Sequence, residues 1–141
     1  MLLKIVTPDG ITYESEVKQV SVPTQSGEIT VLPHHIPLVS VLKAGELRIV
    51  KDNEEITLAV STGVLEVRPN SEVYLLADTA ERAEAIDLER AEASRKRAEE
   101  LLQQRQSLED VEFARLQAKM EKELARLRVG KKYRKLPPSN P

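Results

Sequence analysis

Every internal glycine and proline except Gly130 lies before Asn70 or after Lys135, so residues 70–129 form sixty consecutive positions without a backbone breaker. Ahead of that stretch the same two residues recur every few positions, which is the punctuation of short strands and tight turns. Side-chain types change at nearly the same place. Up to Thr79 the chain holds twelve valines, seven threonines and three alanines; residues 80–129 hold two valines, no threonine and nine alanines. β-Branched side chains suit a pleated, half-buried surface, whereas alanine and straight-chain charged residues lose little on entering a helix. The pattern predicts an α+β chain: an N-terminal all-β sandwich over residues 1–79, a docking domain, and an antiparallel two-helix hairpin with a basic C-terminal tail over residues 80–141.

A unit of about eighty residues supports a small core of its own. The arm does not, because 23 of the 50 residues in 80–129 are charged. Cysteine is absent, which removes any disulfide framework or thiolate metal site and fits a reducing compartment. No apolar run approaches the roughly 20 residues that span a bilayer, and residues 1–6 are too short and strand-like for a secretory signal. The expectation is a cytoplasmic protein made at its mature length, with no direct membrane insertion. Net charge is −2, divided as −5 over residues 1–79, −1 over 80–129 and +4 over 130–141. Lys131, Lys132, Arg134 and Lys135 carry that last excess with only Tyr133 between them, a solvated tail or a contact for an acidic partner. Neither half reads as a nucleic-acid surface.

Apolar runs at 2–6, 11–17, 20–22, 29–32, 38–42, 47–50, 56–60, 64–67 and 73–76 alternate with turn signals, predicting nine or ten strands in two stacked layers or one closed sheet. Catalytic chemistry is hard to place on them. His34 and His35 are adjacent, hence on opposite faces of extended chain, and no third nitrogen or sulfur ligand exists, so no metal site is expected. Between Pro33 and Pro37 they shape a rigid loop. No serine sits in a nucleophile elbow, no glycine-rich phosphate loop is present, and Glu54-Glu55 lie in a solvated hairpin tip. The module reads as a docking body and not as an enzyme.

In the arm, Asp87 is placed to cap a first helix over residues 88–106, and Ser107-Leu108-Glu109-Asp110 has the form of a capping box for a second over 108–129 that Gly130 ends. Phe113, Leu116, Met120, Leu124 and Leu127 recur at helical spacing on one stripe. Leu88, Ala91, Ala98 and Leu102 make a thinner stripe, interrupted by Arg95. A buried leucine contributes about 1.5 to 3 kcal/mol and an alanine methyl about 0.8, so this seam is weak and the arm needs its neighbour. Extended, the 22 residues of the second helix would reach about 33 Å. The expectation is a movable arm with two states. Arg90 and Arg97, two turns apart on one face with Asp87 one turn earlier, form a charge cluster that Arg126 can join across the hairpin. Three guanidinium groups so placed suit an anion such as a nucleoside triphosphate, against the plainer reading of a solvated charged face.

Three stretches together resemble the epsilon subunit of the bacterial F-type ATP synthase. Gly27-Glu28-Ile29-Thr30-Val31-Leu32-Pro33-His34-His35-Ile36-Pro37-Leu38 is similar to that family's Gly-Glu strand and His-x-Pro-Leu loop. Leu65-Glu66-Val67-Arg68-Pro69, with Leu76-Ala77-Asp78-Thr79-Ala80-Glu81, is similar to the end of its sandwich, and Ile86-Asp87-Leu88-Glu89-Arg90-Ala91 to its nucleotide motif. The resemblance implies a central-stalk subunit of a proton-translocating synthase, peripheral at the cytoplasmic face of the cell membrane. Its partners would be the gamma subunit and the ring of c subunits, with Glu28 and His35 at the loop positions nearest the ring. It implies an arm that inhibits ATP hydrolysis by meeting the catalytic alpha and beta subunits, for which Arg115, Lys119, Lys122, Arg126 and Arg128 are the candidates. No cofactor is required. ATP enters as an optional regulatory ligand through Glu81, Ile86, Asp87, Arg90, Arg97 and Arg126, with Lys122 standing where strong binders carry a further arginine. The basic tail has no counterpart in the family pattern. Outside the family, the alternatives are a free-standing β-sandwich adaptor and an ATP-sensing module acting outside the synthase.

Overall fold

A computed structural model describes residues 1–104 and 109–135. Among them the chain forms β1 (Leu2–Thr7), β2 (Gly10–Glu16), β3 (Gln19–Thr24), β4 (Gly27–Val31), β5 (Leu38–Leu42), β6 (Gly45–Lys51), β7 (Glu54–Val60), β8 (Gly63–Arg68) and β9 (Glu72–Ala77). These nine strands coincide with the nine apolar runs. A three-residue strand, β10 (Ala80–Arg82), follows the composition break and pairs with β7.

The hydrogen-bonded order is β10-β7-β6-β3-β5-β8-β9-β1-β2, with β4 also on β3. At β3 the ladder changes layer. Its first half pairs with β6 from Gln19 to Ser21, its length pairs with β4, and its end meets β5 at the single pair Thr24 and Leu42. One layer is therefore β10-β7-β6-β3-β4 and the other β5-β8-β9-β1-β2. Their facing sides supply one core. Leu3, Ile5, Leu65 and Leu75 come from the second layer and Val20, Val22, Leu47, Ile49 and Leu58 from the first, all at most 1% exposed. Alternate positions of each strand point inward, as a period of two requires. β1 lies parallel to β9 and antiparallel to β2, so the chain start is paired on both sides.

A single 3-10 turn, Ala83–Ala85, leads into α1 (Leu88–Gln103) and then α2 (Asp110–Lys135). Asp87 caps α1 as expected, its carboxylate accepting the Arg90 N–H at 3.1 Å. α1 ends at Gln103 rather than 106, where the Gln104 N–H turns back to the carbonyls of Leu101 and Leu102. Ser107, expected as the second cap, lies outside the described residues. α2 begins at Asp110, and its first turn is closed by the Phe113 N–H on the Glu109 carbonyl at 2.9 Å.

Gly130 does not end α2, which runs on to Lys135. Packing explains the difference. A Cβ on Gly130 would stand 2.7 Å from Leu88 Cδ2 and 3.2 Å from Ile86 Cγ2, so the missing side chain lets α2 close against the start of the arm. Glycine inside a helix costs about 1 kcal/mol relative to alanine, which a tight contact offsets. Elsewhere the hairpin is as thinly glued as its composition implies: Ala91, Ala98 and Leu127 are buried, Phe113, Leu116 and Met120 are half-buried, and Leu124 is exposed.

Candidate functional site

The two layers differ in what covers their outer sides. α2 lies across β7 and β6, so Ala59 on the outer side of β7 is buried with Ala83, Ile86 and Val129. Among the described residues, no helix covers the outer side of the other layer. Strand register aligns Val41 with Val64, Val64 with Leu76, Leu76 with Val6 and Val6 with Ile11, a cross-strand row over all five strands. Val41 is 49% exposed, Val64 39%, Leu76 52% and Ile11 57%. Val39, 70% exposed, begins the next row, which continues through Glu66, Tyr74, Lys4 and Glu14. Arg68 stacks its guanidinium 3.9 Å from the Tyr74 ring centre and bonds Glu66, which holds its pKa above the ordinary arginine value. An apolar band bordered by a paired polar ladder is the anatomy of a docking surface.

The loop between β4 and β5 projects beside this layer. His34 takes a left-handed backbone (φ 66°) and its N–H donates to Ser71 Oγ at 3.0 Å, tying the loop to the turn before β9. His35 lies with Nδ1 2.7 Å from the Ile36 carbonyl, and Ile36 is 74% exposed. Glu28 accepts from Arg48 at 2.6 Å across the neighbouring layer. His34 thus ties the loop to the sheet, and His35 makes a local contact within it. Among the described residues, no group of three or more His, Asp or Glu side chains is placed to hold a metal ion.

At the root of the arm, Arg126 ties α2 to β10. Its Nε and Nη2 donate to Glu81 on β10 at 2.8 and 3.3 Å, and its Nη1 donates to Glu123 one turn back at 2.8 Å. Glu123 is 2% exposed, so its charge is held in a nearly dry site by Arg126, with Lys122 at 3.9 Å. The hydrogen bond to Glu81 is the first cause that raises the Arg126 pKa. A raised cation contributes fully below its unfolded value and loses its effect only in strong alkali, so this contact is constant across neutral pH. Replacing Arg126 with alanine strands the Glu123 carboxylate and is expected to weaken arm docking by about 2 kcal/mol. Native-state hydrogen exchange of α2 amides checks it, with exchange about thirtyfold faster as the expected result and an unchanged rate as the contrary one.

The other residues of the expected nucleotide cluster are dispersed around this root. Glu81 and Arg126 are brought together, as partners of each other. Ile86 is buried in the joint, Asp87 caps α1, and the side chains of Arg90 and Arg97 are exposed. Of the arm cations, Arg115, Lys119 and Arg128 are exposed and Lys122 is half-buried.

Residues 1–83 match the family described as "ATP synthase, Delta/Epsilon chain, beta-sandwich domain", and residues 80–131 match "ATP synthase, Delta/Epsilon chain, long alpha-helix domain". The ATP synthase epsilon chain of Bacillus licheniformis is 44% identical over 129 residues, 92% of this chain and 96% of that one. That of Herpetosiphon aurantiacus is also 44% identical over 129 residues, 92% of this chain and 93% of its own. The chain belongs to the ATP synthase epsilon family. The fold is shared with a chain of the Euglena gracilis mitochondrial ATP synthase, which superposes with a TM-score of 0.70 at 21% identity, covering 86% of this chain and 75% of that one.

For this epsilon chain, the exposed row is the surface that sequence reading missed. Its signal is present in β5, where Leu38-Val39-Ser40-Val41-Leu42 is apolar at positions facing both ways, an anomaly for a strand with one solvated side. Glu123 as a partner of Arg126 had the signal of an i,i+3 pair on one helix face, whereas Glu81, 45 positions away, had none as an ion-pair partner.

Proposed function

We propose that this epsilon chain is a non-catalytic central-stalk subunit that docks on the gamma subunit and the ring of c subunits through its bare sheet layer. The observation that carries this reading is the cross-strand row Val41, Val64, Leu76, Val6 and Ile11, exposed on one layer except for half-buried Val6 while the arm covers the other layer. Five strands at about 4.8 Å spacing make a band about 19 Å wide, enough to seat a packed partner. Burying it returns about 25 cal/mol for each Å² removed from water. The loop carrying His35 and Ile36 stands beside the same layer, so ring and stalk contacts are continuous. Among the described residues no helix is long and apolar enough to cross a membrane, and attachment in this reading is peripheral, at the cytoplasmic face, through partner subunits.

The arm regulates. Its thin seam supports a docked posture and an extended one, and extension frees Arg126 to join Arg115, Lys119 and Lys122 as a basic stripe, with Arg128 on another face of the helix, toward acidic segments of the catalytic subunits. ATP is an optional ligand of the docked form through Asp87, Arg90 and Arg97 at the arm's root. The test is twofold. The chain is expected to co-purify with the membrane-bound ATPase assembly, and deletion of residues 107–141 is expected to leave that assembly intact while raising ATP hydrolysis severalfold. Recovery of the chain only in the unassembled fraction defeats the stalk reading; unaltered hydrolysis after deletion defeats the regulatory one.

A further inference from the structure

We infer that the turns of α2 beyond Gly130 are a latch that holds the arm in its docked posture without any ligand. This rests on the reading of the arm as a movable element, and concerns residues to which neither the family match, ending at residue 131, nor the resemblance gives a role.

Two contacts make the latch, and they reach different bodies. Lys132 Nζ lies 3.0 and 3.2 Å from the two carboxylate oxygens of Glu46 on β6, fastening the helix to the sheet. Arg134 Nη2 donates to the Ile86 carbonyl at 2.7 Å, fastening it to the joint between β10 and α1. That carbonyl sits where the 3-10 turn has ended and α1 has not begun, as the Ile86 N–H returns to Ala83 while helical bonding starts with the Ala91 N–H on Asp87. Arg134 is the side-chain donor to it, and a charged donor on a carbonyl beside buried Ile86 is a strong contact. Between the two fasteners and the hairpin, Val129 is 3% exposed in the joint cluster and Gly130 allows the close approach to Ile86 and Leu88. The arm cannot swing from the sheet without breaking both contacts at once, because one helix turn carries them. Had α2 ended at Gly130, neither would exist.

The experiment is a spin-label distance measurement on the isolated full chain. The absence of cysteine permits labels at Asn53→Cys in the exposed turn after β6 and Ala118→Cys on the exposed side of α2. The wild-type arm is expected at one short, docked distance without nucleotide. Combining Lys132→Gln with Arg134→Gln is expected to increase the released population about tenfold or more, the scale of losing a charge-assisted hydrogen bond. Lys131→Gln, which removes the same charge from the same turn but only a weak attraction to Glu92 of α1, is expected to shift the distribution far less. Gly130→Ala should shift it toward release as well, because the added methyl favours helix in both postures but crowds Leu88 only in the docked one. Pairing Glu46→Lys with Lys132→Glu should restore docking relative to either change alone.

A latch double variant with the wild-type distribution overturns the inference; if Arg126→Ala still releases the arm, the movable-arm reading stands and only the latch falls. An arm that none of these variants releases overturns both. A wild-type arm found released without nucleotide overturns the latch alone.

Discussion

Combining Val41→Asp with Leu76→Asp is expected to remove this epsilon chain from the assembled synthase while leaving it folded. Both side chains point to water in the free chain, so folding loses only strand propensity, about 1 kcal/mol for each position. In a desolvated interface the same carboxylates are buried without partners, and each costs several kcal/mol. Together they should lower affinity for the stalk by about a thousandfold or more. Circular dichroism establishes that the β signal persists, and pull-down of the membrane ATPase reads assembly. The threonine pair Val41→Thr and Leu76→Thr, matched in strand propensity and lacking charge, should retain most of it. Normal assembly of the aspartate variant would show that the apolar row is not the docking surface.

The largest loss of stability is expected from Gly63→Ala. Gly63 lies at the start of β8 and pairs with Leu42 on β5 and Ala77 on β9, so it has backbone on either side. A Cβ there would run into the Leu76 carbonyl oxygen and stand 2.8 Å from Ala77 Cα. Backbone must move to admit it, and the strand that moves carries Leu75 in the core and Leu76 in the exposed row. The expected cost is about 3 kcal/mol or more, near the high end for overpacking, and a large share of the stability of so small a sheet unit. Urea denaturation should show a clearly lower midpoint. A loss under about 1 kcal/mol would mean that β9 yields without strain. Gly130→Ala makes the contrast: there the obstacle is the flexible end of Leu88, so global stability should change little while arm docking changes.

The two glycines also show where sequence reading succeeds and where it does not. Before Asn70, glycine and proline marked most turns correctly because turn geometry is set by φ and ψ of two neighbouring residues, although Pro23, expected to open a turn, lies inside β3 opposite Glu28. At Gly130 the same local rule predicted a helix stop, and a contact with Ile86 and Leu88, more than forty positions away, prevailed. The nine apolar runs were legible for the same reason as the turns, and so was Asp87, whose capping bond spans three residues. Arg126 was legible only as a cation. Its place beside Arg90 and Arg97 in an anion cluster is an inference from helix phase, whereas its bonds go to Glu81, 45 positions away, and to Glu123.

By itself the sequence determined the order of a β unit and a helical arm, the positions of nearly every strand and turn, the thinness of the hairpin seam, and enough of three short motifs to reveal the epsilon family. Those properties follow from dihedral preference, residue period and bonds over a few positions. Only the tertiary structure decided which layer the arm covers, which apolar positions remain in water, and which carboxylate or carbonyl each cation of α2 meets. These depend on how closely distant backbones approach: β3 passes the ladder from one layer to the other through a single residue pair, and that crossing sends Val41 outward while the joint at Ile86 brings Lys132 and Arg134 to rest.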